Sequence, residues 1–223
     1  MKRSFAALAL AATLAMPAAA MADSPQHLVD SSTLAVQDML SGPVGPQEEE
    51  LLRHARAVVV CPNIFRAGFI IGGEGGGCLM LARNESGGWS SPAFYTLGSG
   101  SFGFQAGVQS AEVMMFIMTP GGLNAILSSQ FKFGADAGLT IATIGANANG
   151  SMSTALDADI VTISKTEGLY GGISLQGSIL AGDSNTDEDY YGRPVEARQI
   201  VVDLEGKNAG ATPLRGILHR YGG

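Results

Sequence analysis

The feature that most constrains this chain is a recurring alternation in which every second residue is apolar and the residues between are glycine or short and polar. Phe102, Phe104, Ala106 and Val108 alternate with Gly103, Gln105, Gly107 and Gln109. Phe133, Ala135, Ala137, Leu139 and Ile141 alternate with Gly134, Asp136, Gly138 and Thr140, and Leu169, Gly171, Ile173 and Leu175 with Tyr170, Gly172, Ser174 and Gln176. A period of two sends successive side chains to opposite faces of a strand, so each stretch reads as a β-strand with one apolar face. Glycine inside a strand weakens it unless twist, a bulge or the close approach of another layer uses the missing side chain. With 31 glycines in 223 residues, the pattern predicts a strongly twisted, largely antiparallel sheet or a partly closed barrel.

Further strands are expected at Val58 to Cys61, stopping before Pro62, and on either side of the run from Gly72 to Gly77. Asn84 to Gly88 reads as a hairpin tip, and the continuous apolar run from Val113 to Met118 as a strand covered on both faces. Helical spacing appears at both ends. Leu28, Ser32, Ala35, Val36, Met39 and Leu40 fall on one face of a segment from Asp23 to Ser41, and a second helix is expected from Gln47 to Ala57. Shorter helices are expected over 120–129, 194–201 and 213–221. Helices, then many strands, then helices indicate an α+β fold flanked by N- and C-terminal helices.

The first 22 residues carry a basic start at Lys2 and Arg3, an Ala/Leu-rich stretch, and the small residues Ala20 and Ala22 before Asp23. These are the parts of a cleavable signal peptide, which implies export to the periplasm or envelope. The expected organisation is a signal over 1–22, a helical segment over 23–54, and one domain with a helical tail over 55–223. Losing Lys2 and Arg3 takes 13 basic residues to 11 against 20 acidic ones, a formal charge of −9. That sign argues against a nucleic-acid partner, which needs a basic face, and weakens membrane binding by bulk electrostatics.

Candidate chemistry is sparse, and no cofactor is expected. The histidines, His27, His54 and His219, are scattered, and an enzyme is not indicated. Gly98 to Gly103 matches the G-x-G-x-x-G pattern but leads into a strand, not the helix that phosphate binding needs. Asp183, Asn185 and Asp187 occupy alternate places of a calcium-loop pattern, yet Glu188 stands where glycine is required and Pro194 where the closing glutamate should be. This partial match reads chiefly as an acidic solvated loop. Cys61 and Cys78 either pair, as an exported chain allows, or serve as small apolar core residues. Phe65 beside Arg66 either forms an interfacial lipid contact or enters the core with Ile64.

From Ala55 to Gly192 the chain resembles the SYLF-domain lipid-binding family in its bacterial, exported form. The resemblance rests on Pro62, on Ala67-Gly68-Phe69 leading into Gly72-Gly73, on Pro92 before Phe94-Tyr95, and on Ser101-x-Gly103-x-Gln105-x-Gly107. Later marks are Gly168-Leu169-x-Gly171-Gly172, Ser174-Leu175-x-Gly177 and Tyr191-Gly192. The resemblance implies a non-enzymatic protein that binds membrane lipids. On that reading Arg53, Arg56, Arg66 and Lys132 would meet phosphates, and Phe65 or the first helix the acyl chains. The alternative is a structural or protein-interaction module whose Gly/Gln/Ser strand face packs on a protein partner or on another copy.

Overall fold

The computed structural model describes residues 24–42, 45–68, 71–102, 107–128, 130–135, 138–144, 155–166, 169–170 and 175–223. Two helices open it. In α1, Pro25–Leu40, the Ser24 side chain accepts from the His27 N–H and Pro25 occupies the first turn, where its missing N–H costs nothing. The face carrying Val29, Ala35, Val36, Met39 and Leu40 is buried. In α2, Gly45–His54, Arg53 and His54 lie in the last turn, the end that the helix dipole favours for cations.

The strands follow: β1 Ala57–Gly68, β2 Ile71–Ala82, β3 Ala93–Phe102 and β4 Gly107–Ile117. Helix α3, Pro120–Ile126, is capped by Thr119. After it come β5 Gln130–Lys132, β6 Ile141–Ile144, β7 Ile160–Thr166, β8 Leu169–Tyr170 and β9 Ile179–Gly182. The chain closes with α4 Ser184–Tyr191, α5 Ala197–Val201, a 3-10 turn at Ala209–Ala211 and α6 Thr212–Gly222. Among the described residues all nine strands join one sheet in the order β5-β9-β3-β2-β1-β4-β7-β6, with β8 on β7. Every pairing is antiparallel except β6 with β7. This is the expected α+β class with a curled, largely antiparallel sheet and helices at both ends.

The sheet separates two apolar cores. One packs α1, α2 and α6 on Val58, Val60, Leu79, Leu81, Phe116 and Val161. The other packs Val59, Met80, Leu97, Met115 and Leu180 against Phe131, Ile200 and Val201. Strand β4 lies centrally between them, which is why Val113 to Ile117 is apolar at every position and wholly buried. Arg83 ties the ends together: its guanidinium donates to the carbonyls of Leu52, Ala55, Gly87, Gly222 and Gly223 and stacks 4.6 Å from the Trp89 ring.

Several expectations are corrected. Strand β1 does not stop at Pro62 but runs through it, because its register against both neighbours slips by one residue between Cys61 and Ile64. A bulge is a place in a sheet where proline's missing donor is tolerated. Gly72 to Gly77 lies inside β2, not between strands. Gly76 faces the bulge, where an added Cβ would sit 2.2 Å from the Asn63 carbonyl oxygen. Just before the bulge, Cys61 and Cys78 form a disulfide between adjacent strands, with their Cα atoms 4.1 Å apart. Closing a loop of this sequence separation contributes about 3 kcal/mol in the chain-entropy view.

The alternation over 133–141 is not one strand. The backbone takes left-handed φ of +83° at Gly134 and +96° at Gly138, so β5 ends at Lys132 and only Ile141 onward pairs as β6; residues 136–137 lie outside the described residues. The alternation over 102–109 is likewise divided between the end of β3 and the start of β4, with 103–106 outside the described residues. Of 169–176, Leu169–Tyr170 form β8, residues 171–174 lie outside the described residues, and Leu175 enters a turn closed by Gly177 at φ +85°.

Candidate functional site

Past the bulge at Pro62 the end of the sheet overhangs α1, and a groove opens between the two. The groove encloses about 550 Å³ between Leu34, Ala35 and Asp38 of α1 and Pro62, Glu112 and Lys165 of the sheet. A second hollow of about 350 Å³ shares Ser31, Pro62 and Asn63 with it and continues along the first turns of α1, over Gly76 and Gly77. Apolar groups mark the outer rim. Leu34 is 68% exposed and Phe65, the cross-strand partner of groove-lining Ser110, is 51% exposed.

Inside the groove both signs of charge meet. Lys165 on β7 forms an ion pair with Asp38 on α1 and stands directly across the strand pair from Glu112 on β4. One carboxylate oxygen of Glu112 is buried with no hydrogen-bond partner among the described residues. Burial first, then the Asp38 carboxylate, push this group above the usual range for a glutamate. Behind the groove Glu48 on α2 is wholly buried, and neither of its oxygens has a hydrogen-bond partner among the described residues. Its pKa is pushed up to about 8, chiefly by burial, with Lys165 opposing and Asp38 adding to the shift. At neutral pH Glu48 is therefore a carboxylic acid, not a carboxylate.

The residues proposed from sequence are not brought into one patch. Arg53 pairs with Glu49 and Glu50 along α2. Arg56 is exposed at the start of β1, where its N–H donates to the Ile117 carbonyl. Phe65 lies nine residues further along the same strand, about 30 Å at 3.3 Å per residue. Phe65 and Arg66, adjacent in a strand, necessarily point to opposite faces. Phe65 stays on the outer, helix-side face. Arg66 turns inward and donates through Nε (2.7 Å) and Nη2 to Glu74, whose other oxygen accepts from Ser99 and Ser178 at 3.0 and 3.1 Å. Its guanidinium is thus committed to a buried carboxylate.

Lys132 belongs to a different part of the same outer face. It pairs with Ile179, and the row continues through Gly98 and Gly75 to Phe65, four strand spacings or about 19 Å away. The acidic stretch read as a solvated or calcium-binding loop is instead helix α4. Asp183 caps it, accepting from the N–H and the hydroxyl of Thr186, and Asn185 lies within its first turn. Asp187 is buried and accepts from the Phe94 N–H at 3.0 Å. The carboxylates of Asp183 and Asp187 thus serve the fold, and among the described residues no group of three or more His, Cys, Asp or Glu is arranged to hold a metal. No helix among the described residues is long and apolar enough to cross a membrane.

Lys165, Glu112, Asp38 and Leu34 were not singled out from the sequence. The nearest signal was Lys165 itself, a cation closing the otherwise apolar and hydroxylic run of β7.

A curled, largely antiparallel sheet backed by helices, with a charged groove beside its first helix, defines an α+β domain. The chain belongs to the Ysc84 family, described as "Las17-binding protein actin regulator", whose model matches residues 98–221. This is the SYLF family to which the sequence motifs pointed. The relatives include SH3 domain-containing YSC84-like protein 1 of Rattus norvegicus, 26% identical over 160 residues that make up 71% of this chain and 47% of that protein. The Homo sapiens protein of the same name is 24% identical over 160 residues, again 71% of this chain and 47% of its own length. LAS seventeen-binding protein 3 of Saccharomyces cerevisiae is 23% identical over 157 residues, 68% of this chain and 34% of that protein. The chain spans less than half the length of these curated relatives.

Proposed function

We propose that this is a non-enzymatic lipid-binding protein of the bacterial cell envelope, exported by residues 1–22, which meets the membrane with the overhanging end of its sheet. The observation that carries the reading is the joint exposure of Leu34 and Phe65 on the rim of a groove that holds a cation. Apolar side chains so displayed gain roughly 1.5–3 kcal/mol each when fully buried, a contribution that acts together with polar contacts at the headgroups to give reversible membrane association. With a formal charge of −9 after cleavage, contact at a local site, not bulk attraction, brings the protein to the surface.

The test is co-sedimentation of residues 23–223 with vesicles of envelope lipids. Leu34→Ser combined with Phe65→Ser is expected to weaken binding at least tenfold, while Arg53→Gln and Arg56→Gln leave it nearly unchanged. Loss on the arginine substitutions with none on the apolar pair would reverse the assignment.

A second reading is a protein-interaction module, favoured by the flat outer face where Gly73 and Gly75 of β2 lie across from Gly100 and Gly98 of β3. The family description and the name of the yeast relative both refer to Las17 binding. Light scattering on the purified chain, showing a tight oligomer that covers this face, would favour that reading.

A further inference from the structure

Resting on the lipid-binding reading, we propose that the groove between α1 and the overhanging strands receives the headgroup of a zwitterionic phospholipid bearing a primary ammonium, Lys165 meeting the phosphate and Asp38 with Glu112 the ammonium.

The charges in the groove match such a headgroup and no simple anion. Lys165 is flanked by Asp38 on one side and by Glu112 directly across the strand pair. A phosphate entering beside Lys165 therefore meets a carboxylate on either hand, which repels a purely anionic headgroup. A phosphate linked by two carbons to an ammonium turns that repulsion into two complementary contacts. The ligand exchanges the Lys165–Asp38 ion pair for one contact to each partner, so neither Lys165 nor Asp38 is left without a counter-charge.

The buried oxygen of Glu112 points to the same chemistry. It has no hydrogen-bond partner among the described residues, and an unpartnered buried acceptor carries a desolvation penalty that a donor removes. A primary ammonium brings three N–H donors. A quaternary ammonium brings none; it is held by aromatic faces, and among the described residues no aromatic side chain lines this groove, Phe65 standing only at its rim. The groove thus discriminates ethanolamine from choline headgroups. Leu34 and Phe65 on its rim give the attached acyl chains an apolar surface where they leave the headgroup.

The experiment compares co-sedimentation of residues 23–223 with vesicles of phosphatidylcholine alone and of phosphatidylcholine mixed with phosphatidylethanolamine, phosphatidylserine or phosphatidylglycerol. Phosphatidylethanolamine is expected to raise binding at least tenfold over phosphatidylcholine alone and over either anionic mixture. Lys165→Gln and Glu112→Gln are each expected to remove that increment. Asp38→Asn, at a position 54% exposed on α1, does the same without threatening the fold. Soluble phosphoethanolamine added as competitor separates the sources: displacement from vesicles at millimolar concentration means that the headgroup alone is recognised, and no displacement means that the lipid is required. Equal binding to ethanolamine and choline vesicles, or binding driven by phosphatidylglycerol, overturns the headgroup assignment and leaves lipid binding standing. No binding to any vesicle overturns the lipid-binding reading itself.

Discussion

Glu48→Gln is expected to leave stability nearly unchanged relative to the parent protein at pH 4 and to raise it by about 3 kcal/mol at pH 7. Glu48 is wholly buried without a hydrogen-bond partner among the described residues, and burial pushes its pKa from an ordinary 4.5 up to about 8. In the unfolded chain it ionises near pH 4.5, whereas in the folded protein it holds its proton until about pH 8. Its contribution to stability is fully present below pH 4.5 and declines as pH rises through that window, by about 1.4 kcal/mol per pH unit. A glutamine never ionises and removes the decline. Other groups titrate identically in both proteins and cancel, including Asp187, which burial pushes up to about 7. Urea denaturation at pH 4, 5.5 and 7 measures the difference. A gap of constant size across the three would show that Glu48 ionises normally.

Gly76→Ala is expected to cost about 3 kcal/mol, the upper part of the range for inserting a methyl group into packed structure. The Asn63 carbonyl at the β1 bulge would stand 2.2 Å from the new Cβ, with the Ile64 side chain at 3.0 Å. Backbone cannot swing aside as a flexible side chain can, so the bulge itself would have to shift. Gly100→Ala is the internal control. Nothing lies within 4 Å of its added Cβ, and its effect is expected within about 0.5 kcal/mol of zero. Chemical denaturation of the two variants side by side separates the bulge contact from the general cost of losing a glycine; equal effects would remove the bulge from the explanation.

Much of the framework was legible in the residues because it depends on local pattern. Val113 to Ile117 announced a strand covered on both faces, and the spacing from Leu28 to Leu40 announced α1, since burial stamps its period directly on the sequence. Alternation misled where glycine supplied it. Gly134 and Gly138 fit a strand by pattern but take left-handed φ, so residues 133–135 and 138 are turn instead of strand. The acidic segment at Asp183 carried the signals of a helix, a capping aspartate and a closing Gly192 at φ +69°, but its carboxylates drew the reading towards calcium.

The groove was hidden for a different reason. Asp38, Glu112 and Lys165 come from α1, β4 and β7 and meet only after strand register and a one-residue bulge bring them together. No spacing in the chain encodes that meeting. Phe65 was noticed, but its pairing with Arg66 assumed that sequence neighbours share a face, which a strand forbids.

The most direct test that the overhanging end of the sheet meets the membrane is amide hydrogen exchange of residues 23–223 with and without vesicles containing phosphatidylethanolamine. Added protection concentrated in residues 31–38, 62–66 and 109–112 is the expected result, with the far end around Arg53 and Arg56 unchanged. Protection confined to α2 and the first residues of β1, or none in the groove-lining segments while the protein is vesicle-bound, would contradict it.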